Sequence, residues 1–362
     1  MNHASYCIVT LLFCTSVMAE PLGLPKLPVP GDNPQSAEKV ALGDKLFHDM
    51  RFSITGKVSC STCHDADKAF TDNLPVSEGI NGLHGTRSAP TVINAAYNRT
   101  QFWDGREPSL EAQSKQPFLN PVEMALPNHD YIINIVSKDK EYTGMFDRAF
   151  GVPASGITID HVAMAIAAFE RTKISGNSAF DRYYFGGESG AMTDAQKRGL
   201  QVYLNDGRCV SCHVIEQTNA LFTDHLFHNI GVGFKSVKDR IHVIAAEFIK
   251  SKHQGANVDF AVLSSSNVSQ LGRFAVSEDL TDMGAFKTPT LRNIDKTAPY
   301  MHDGSLETLE DVVTFYNNGG RLQETDPLDD FLDGGIRPLN LTEQQQKDLA
   351  EFLKALTSPD YM

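Results

Sequence analysis

After its first 19 residues the chain contains no long apolar segment, and this argues against a membrane-spanning helix in the remainder. The first 19 residues carry no charged side chain and include the apolar run Cys7-Ile-Val-Thr-Leu-Leu-Phe-Cys14 before the small residue Ala19. A short apolar core followed by a small residue at a cleavage site is typical of a secretory signal. We therefore expect residues 1–19 to be a signal peptide and the mature chain not to insert into a membrane.

Positive charge is also scarce: 32 lysine and arginine residues stand against 45 aspartate and glutamate residues, which gives a formal net charge of -13. This balance argues against nucleic acid or an anionic membrane surface as a partner. It is compatible with a basic protein partner, or simply with good solubility. A length of 362 residues with 41% hydrophobic residues is sufficient for two domains with sizeable cores.

Cysteine is scarce as well, and its few positions are informative. Two of the six cysteines lie in the first 19 residues, and the other four form two C-x-x-C-H motifs. These motifs comprise Cys60, Cys63 and His64, and Cys209, Cys212 and His213. No cysteine pair remains to complete a zinc site with either motif, and a chance match or a redox C-x-x-C does not account for two complete copies.

The C-x-x-C-H spacing suits covalent attachment of a haem. The two cysteines lie about one helical turn apart, so both thiols can bond the vinyl edge of one haem while the histidine binds its iron. Two copies therefore predict two covalently bound c-type haems. Because such attachment takes place in the periplasm of Gram-negative bacteria, we expect a periplasmic protein.

The periodicity of the sequence is helical, without a dominant β pattern. A helix over 36–47, capped by Ser36, precedes the first motif, and a helix over 193–203 precedes the second. Helical patterns also cover 130–150, 159–172 and 342–356, whereas the region 71–127 is dense in Gly, Pro and Asn. We predict an all-α fold of two c-type cytochrome domains facing each other, with long ordered loops. The glycine cluster at 184–190 sets the predicted domains at 20–185 and 186–362.

Several ordered motifs accompany the two haem motifs: Phe70-Thr-Asp72, Arg87-Ser-Ala-Pro-Thr91, Gln101-Phe-Trp-Asp-Gly-Arg106, Asn120-Pro-Val-Glu-Met124, Phe227-His-Asn-Ile-Gly231, Phe286-Lys-Thr-Pro-Thr-Leu-Arg-Asn293 and Pro299-Tyr-Met-His-Asp-Gly304. Together they resemble the family of bacterial di-haem cytochrome c peroxidases and MauG over nearly all of the mature chain. The resemblance implies that peroxide binds at the N-terminal haem and that the C-terminal haem stores electrons.

By this resemblance, His64 is the proximal ligand of the reactive iron, and Glu123 lies in the distal pocket with Gln113 nearby. Splitting an O–O bond needs a base for the peroxide proton and an acid for the leaving oxygen, and a carboxyl group suits both roles. Trp103, the only tryptophan, matches the residue that lies between the two haems and is expected to relay electrons.

One departure from the peroxidase pattern concerns the first haem. Ile80 stands where classical peroxidases place a distal histidine, so this iron is expected to be five-coordinate and open to peroxide. The competing ligand is His84, in a glycine-flanked loop, although an exposed loop histidine is the simpler reading.

A second departure concerns the haem held by His213. Tyr316 stands where the classical axial methionine is found, as in MauG, and a phenolate favours oxidised iron whereas a thioether favours Fe(II). The alternatives are that Tyr316 is a core residue and that Met283 or Met301 is the ligand.

Calcium between the haems is a further implication of the resemblance. Thr297 and Pro299 match two of its carbonyl ligands, but Ser88 stands where the family has an asparagine ligand. Calcium therefore remains an open expectation.

Taken together, these features predict a periplasmic di-haem oxidoreductase that activates hydrogen peroxide at the His64 haem. Oxidising equivalents would be shared with the second haem through Trp103 and used to oxidise a partner protein. One alternative is a cytochrome c peroxidase that takes electrons from a small redox protein, and another is a non-enzymatic electron carrier. Family peroxidases are often homodimers, but no stretch of this sequence indicates an interface.

Overall fold

The computed structural model describes residues 20–323, 325–327 and 329–361, and the predicted signal peptide lies outside these residues. The described chain is mostly helical, as predicted, with one two-stranded antiparallel sheet. Its strands are β1 (Phe227–His228) and β2 (Phe286–Lys287), in which Phe227 pairs with Lys287 and His228 with Phe286. No described helix is both long enough and apolar enough to cross a membrane.

The α-helices of the described residues are, in chain order, α1 (Ala37–Phe47), α2 (Cys60–Cys63), α3 (Leu110–Gln113), α4 (Gln116–Leu119), α5 (Asp130–Lys138), α6 (Lys140–Phe150), α7 (Ile159–Glu170), α8 (Ala179–Tyr184), α9 (Asp194–Leu204), α10 (Phe234–Val237), α11 (Ile241–His253), α12 (Val258–Ser264), α13 (Ser266–Ser269), α14 (Phe274–Ser277), α15 (Leu309–Asn317) and α16 (Glu343–Lys354). Short 3₁₀ turns connect many of them.

The helices that precede the two haem motifs are confirmed, with caps at Ser36 and Thr193. The helical region over 130–150 is divided into α5 and α6. Asp139 has an extended backbone between them, and its side chain accepts hydrogen bonds from the first amides of α6. A residue that caps one helix in this way ends the preceding helix at the same point.

Two helix pairs pack in the same manner: α1 on α7 and α9 on α16. A Cβ atom at Gly43 of α1 would lie 1.9 Å from the carbonyl oxygen of Ala165, and one at Gly199 of α9 would lie 1.9 Å from the carbonyl oxygen of Asp348. A side chain at Gly43 or Gly199 would therefore push apart the two helices of its pair. The sequence parallel between the two segments thus corresponds to a shared close packing of helices.

Among the described residues, buried apolar side chains form three large clusters. The first surrounds the α1–α7 pair and includes Phe47 and Phe169, with Cys60 at its margin. The second surrounds the α9–α16 pair and includes Tyr203 and Phe352, with Cys209 at its margin. Each large cluster thus adjoins one haem motif, whereas the domain boundary at 185/186 stays a prediction.

The third cluster was not predicted from the sequence. It is formed by α10–α14, over residues 234–277, which we call the helical lobe; Phe248 and Phe274 are buried in its core. Val122, from the loop that carries Glu123, packs against this core. The lobe therefore adjoins the predicted distal site of the first haem.

Candidate functional site

The first haem motif forms the single turn α2, with Ser59 at its N-cap. His64 follows at once, and its Nδ1 lies 3.1 Å from the carbonyl oxygen of Phe70, to which it donates. This bond orients the ring and leaves Nε2 free for a metal. Burial lowers the pKa of His64, which favours the neutral imidazole that binds iron.

The second motif is built in the same way. A 3₁₀ turn covers Cys209–Ser211, and His213 Nδ1 lies 2.8 Å from the carbonyl oxygen of Phe222. Burial again lowers the pKa of the histidine. None of Cys60, Cys63, Cys209 and Cys212 forms a disulfide bond, so each motif offers two sulfurs for thioether bonds.

A large cavity adjoins the second motif and encloses about 1980 Å³ of space, including the part that is open to solvent. Among the predicted site residues, its wall contains Trp103, Cys209, Cys212, His213, Thr297, Pro299 and Tyr316. The structure thus brings the second motif, the proposed relay and the candidate calcium ligands to one cavity.

The cavity also has the charge that a haem requires. Lys287 lines it and is 9% exposed; burial lowers the pKa of its ammonium to about 8, and the group forms no ion pair with the described residues. Arg208 lines it too, and its buried Nη1 has no hydrogen-bond partner. Unpaired buried cations are costly, and the carboxylates of a haem would compensate them. The residues present therefore fit a haem.

Tyr316 and Met301 both line this cavity, whereas Met283 is fully buried in the core of the helical lobe. The hydroxyl of Tyr316 forms no hydrogen bond with the described residues. Burial raises its pKa. Of the three candidate axial ligands, Met283 is thus remote from the cavity, and the choice of Tyr316 remains a prediction.

Trp103 is held at both its side chain and its backbone. Its indole Nε1 donates to the carbonyl oxygen of Ser88 at 2.9 Å, and its own carbonyl oxygen accepts from the amide of Lys287 at 2.7 Å. The amide of Ser88 in turn donates to the carbonyl oxygen of His302 at 2.8 Å. The indole therefore has a fixed orientation in the cavity wall.

Glu123 lies in a tight loop organised by Asn120. The amide of Val122 donates to Asn120 Oδ1, and the amides of Glu123 and Ala125 donate to its carbonyl oxygen, at 2.9–3.1 Å. Burial raises the pKa of Glu123 to about 8; the charge of Asp259 adds to this effect and Arg106 opposes it. A carboxyl group with this pKa can exchange a proton near neutral pH.

Gln113 ends α3, and its side chain forms no hydrogen bond with Glu123. Ile80 is 5% exposed, and its amide donates to the carbonyl oxygen of Glu123 at 3.2 Å, so the two loops are adjacent. A Cβ atom at Gly79 would lie 1.8 Å from the carbonyl oxygen of Val122, which shows how closely they approach. His84 lies exposed in the same turn as Ile80.

Thr297 and Pro299 share the cavity wall with Ser88. Asn73 donates to the neighbouring carbonyl oxygens of Lys296 and Ala298, at 3.3 and 2.8 Å. The segment is thus fixed beside the cavity, and calcium there stays an expectation.

Sequence reasoning missed the partners of His228, although it noted the surrounding motif. His228 Nε2 lies 2.8 Å from Asp224 and Nδ1 lies 2.7 Å from Asp333. Asp333 is 105 residues away, so no local spacing could indicate the pair.

It also missed Asp259 of α12. Asp259 binds Arg106 and Asn120, which are 153 and 139 residues away. A lone aspartate in a helical segment carries no signal of such contacts.

Comparison with known proteins gives a consistent result. The family model described as di-haem cytochrome c peroxidase matches residues 37–189. The methylamine utilization protein MauG of Methylorubrum extorquens is 34% identical over 330 residues, which cover 91% of this chain and 81% of that protein. The cytochrome-c peroxidase IdrP1 of Denitromonas iodatirespirans is 33% identical over 344 residues, covering 93% and 86% respectively.

A solved structure described as a MauG-like protein associated with microbial copper homeostasis superposes with a TM-score of 0.75. It is 32% identical, and the match covers 94% of this chain and 97% of that one. Sequence identity and structural superposition therefore relate nearly the whole chain to the same group of proteins.

Proposed function

This chain belongs to the di-haem cytochrome c peroxidase and MauG family and is a peroxidase-type enzyme with two haems, and from this premise we propose that it uses peroxide to oxidise a partner protein. Cys60, Cys63 and His64 would hold the first haem, and peroxide would react beside Glu123. Cys209, Cys212 and His213 would hold the second haem, which would supply an electron store. In this proposal the two c-type haem domains, 20–185 and 186–362, face each other.

One observation carries the proposal: Ile80 is buried against the Glu123 loop. When bound, the haems supply iron that binds peroxide and accepts or releases electrons. An aliphatic side chain cannot bind iron, so Ile80 leaves the space beside Glu123 to peroxide. The exposed position of His84 supports the same reading.

Glu123 moves the protons. Its carboxylate takes the proton from one peroxide oxygen and returns it to the oxygen that leaves as water. Asn120 holds the loop so that this carboxyl group stays beside Ile80. Gln113, at the end of α3, is assigned to the same pocket by the family resemblance, and its amide would orient peroxide or water there.

Trp103 passes electrons between the two haem sites, and the hydrogen bond from its indole to Ser88 keeps the ring in one orientation. Tyr316 is proposed to bind the iron of the C-terminal haem together with His213, and its place in the same cavity wall supports this role. Thr297 and Pro299 are proposed to supply carbonyl oxygens to calcium.

The proposed partner is a protein with a basic face, because the chain carries a net charge of -13. Electron transfer at a distance would oxidise a side chain of that protein without its entering the peroxide site. The predicted signal peptide at 1–19 and the two haem motifs favour a periplasmic location. Co-expression with proteins from neighbouring genes, followed by peroxide and mass spectrometry, tests the activity: a partner that gains oxygen or a cross-link supports it, and none doing so contradicts it.

A second candidate function is reduction of peroxide to water with electrons from a small redox protein. It is favoured by the similarity to proteins named cytochrome c peroxidase, which are nearly as close to this chain as MauG is. Fast multiple turnover with a reduced small cytochrome or copper protein would identify it. The non-enzymatic electron carrier is disfavoured by the peroxidase-type family membership.

Electron paramagnetic resonance of the oxidised protein at low temperature tests the proposed coordination. We expect one high-spin signal, from an iron left open beside Ile80, and one low-spin signal, from an iron bound by His213 and Tyr316. Two low-spin signals would mean that His84 or another side chain closes the first site, and would contradict the proposal.

The variant Trp103→Phe is expected to bind peroxide at an unchanged rate but to slow electron exchange between the haem sites about tenfold or more, because phenylalanine is harder to oxidise. Stopped-flow absorption spectroscopy separates the two steps, and the binding step serves as the internal control. Unchanged exchange would remove Trp103 from the pathway.

A further inference from the structure

A row of alternating charges is buried beside Trp103. We call it the charged ladder, and its members are Arg87, Asp104, Arg106 and Asp259. Arg87 Nη1 donates to Asp104 Oδ2 at 2.6 Å, Arg106 Nη1 donates to Asp104 Oδ1 at 2.9 Å, and Arg106 Nη2 donates to Asp259 Oδ1 at 2.7 Å. None of these four side chains is more than 6% exposed.

The last member, Asp259, connects the ladder to the Glu123 loop. Its Oδ1 accepts from Arg106, and its Oδ2 accepts from Asn120 Nδ2 at 2.6 Å. Asn120 is itself buried, with no exposed surface, and its oxygens hold the amides of Val122, Glu123 and Ala125. Both oxygens of the Asp259 carboxylate therefore accept hydrogen bonds, one from Arg106 and the other from Asn120.

Asp259 does not belong to the segments that carry Glu123 or His64. It lies on α12 of the helical lobe, which has its own apolar core. Two further contacts join the lobe to the site: Val122 packs on that core, and Thr86 Oγ1 donates to the carbonyl oxygen of Val262 at 2.6 Å. The lobe is thus in a position to fix the Glu123 loop from outside.

We propose that Asp259 is a positioning residue for Glu123, which it controls from the helical lobe by holding Asn120 and by placing a negative charge beside the site. This inference rests on the proposed role of Glu123 in peroxide activation. Asp259 touches neither peroxide nor iron in this view.

The charges that face Glu123 are few. Among the described residues, Asp259 and Arg106 are the charged side chains that act on it. A carboxylate near another carboxylate retains its proton to higher pH, whereas a guanidinium has the opposite effect. Without the negative charge of Asp259, the positive charge of Arg106 would dominate at Glu123. Glu123 would then release its proton more readily.

The test compares the haem-loaded variants Asp259→Asn and Glu247→Gln with the wild type. Glu247 is exposed on α11 of the same lobe, so its change removes the same charge without touching the ladder. The rate of the peroxide reaction is measured against pH by stopped flow. We expect the midpoint of the pH profile to fall by about one unit in Asp259→Asn and to stay unchanged in Glu247→Gln. An unchanged midpoint in folded, haem-loaded Asp259→Asn would overturn the proposal.

Hydrogen exchange of the backbone provides a readout that does not depend on activity. The peptide that covers 118–126 should exchange faster in Asp259→Asn, because Asn120 loses a fixed partner, whereas the peptide with the His64 loop should not change. Equal exchange of 118–126 in variant and wild type would contradict the positioning role.

Asp259→Glu covers the case in which Asp259→Asn does not fold. It retains the charge but not the length, so we expect the wild-type midpoint together with faster exchange over 118–126; a lowered midpoint would overturn the electrostatic part. The variant Glu123→Gln separates the two proposals. If it retains the wild-type pH profile, the proposed role of Glu123 fails, while the exchange data still test Asp259.

Discussion

Glu123→Gln is expected to slow the reaction with peroxide by at least about 100-fold while both haems remain attached. The amide has nearly the shape of the carboxyl group but cannot take up the peroxide proton. The loop should persist, because Asn120 binds backbone amides and not the Glu123 side chain. Stopped-flow absorption measures the rate, and the pyridine haemochrome spectrum measures the haem content.

The rate of the peroxide reaction should also depend on pH through Glu123. The pKa of Glu123 is raised to about 8, first by burial and then by Asp259, so the group is mainly protonated at neutral pH. Because the deprotonated form accepts the proton, the wild-type rate should rise as the pH passes through about 8, and the rate of Glu123→Gln should lack this step.

Glu78→Gln is the matched control, since Glu78 is an exposed carboxylate on the adjacent loop. We expect it to keep both the wild-type rate and the pH step. Wild-type kinetics in Glu123→Gln would show that another group is the base.

Arg292→Ala is expected to destabilise the protein by about 3–5 kcal/mol, because it leaves a buried carboxylate without its partner. Arg292 donates to both oxygens of Asp181 at 2.8 and 2.9 Å, and neither side chain is more than 1% exposed. Arg292 also donates to the carbonyl oxygens of Ala220 and Gly23, at 2.7 and 2.6 Å. Urea unfolding followed by circular dichroism measures the loss.

Arg198→Ala provides the comparison. Arg198 also forms two hydrogen bonds with a carboxylate, that of Asp348, but its own side chain is 56% exposed. Water can replace much of that interaction, so we expect a much smaller loss of stability than in Arg292→Ala. Equal losses in the two variants would show that burial of the Arg292 pair does not determine its contribution.

Local patterns in the sequence predicted much of the structure. The spacing of the C-x-x-C-H motifs indicated where the sulfurs and imidazoles lie, and Ser36 and Thr193 indicated where α1 and α9 begin. The family resemblance is confirmed by the comparisons. These features depend on residues a few positions apart, within one helical turn or one cap.

Features that depend on distant residues were not predicted. Asp259 binds residues 139 and 153 positions away, and His228 binds Asp333 from 105 positions away; nothing near Asp259 or His228 indicates these contacts. The helical lobe was missed because most of its helices have only four to seven residues, too short for a clear periodicity. The region 130–150 was assigned as helical, but its break was not foreseen, because Asp139 acts as a cap only in the folded geometry.

The charged ladder has a consequence for the oxidation of Trp103. Burial alone would raise the pKa of Asp104, yet Arg106 and Arg87 lower it to about 2, so the carboxylate next to Trp103 in the chain stays ionised. Two arginines and two aspartates sum to zero charge, and their buried position keeps mobile ions at a distance. The ladder therefore adds no net charge next to Trp103, and its own contribution to the cost of removing an electron from the indole changes little with the salt concentration outside.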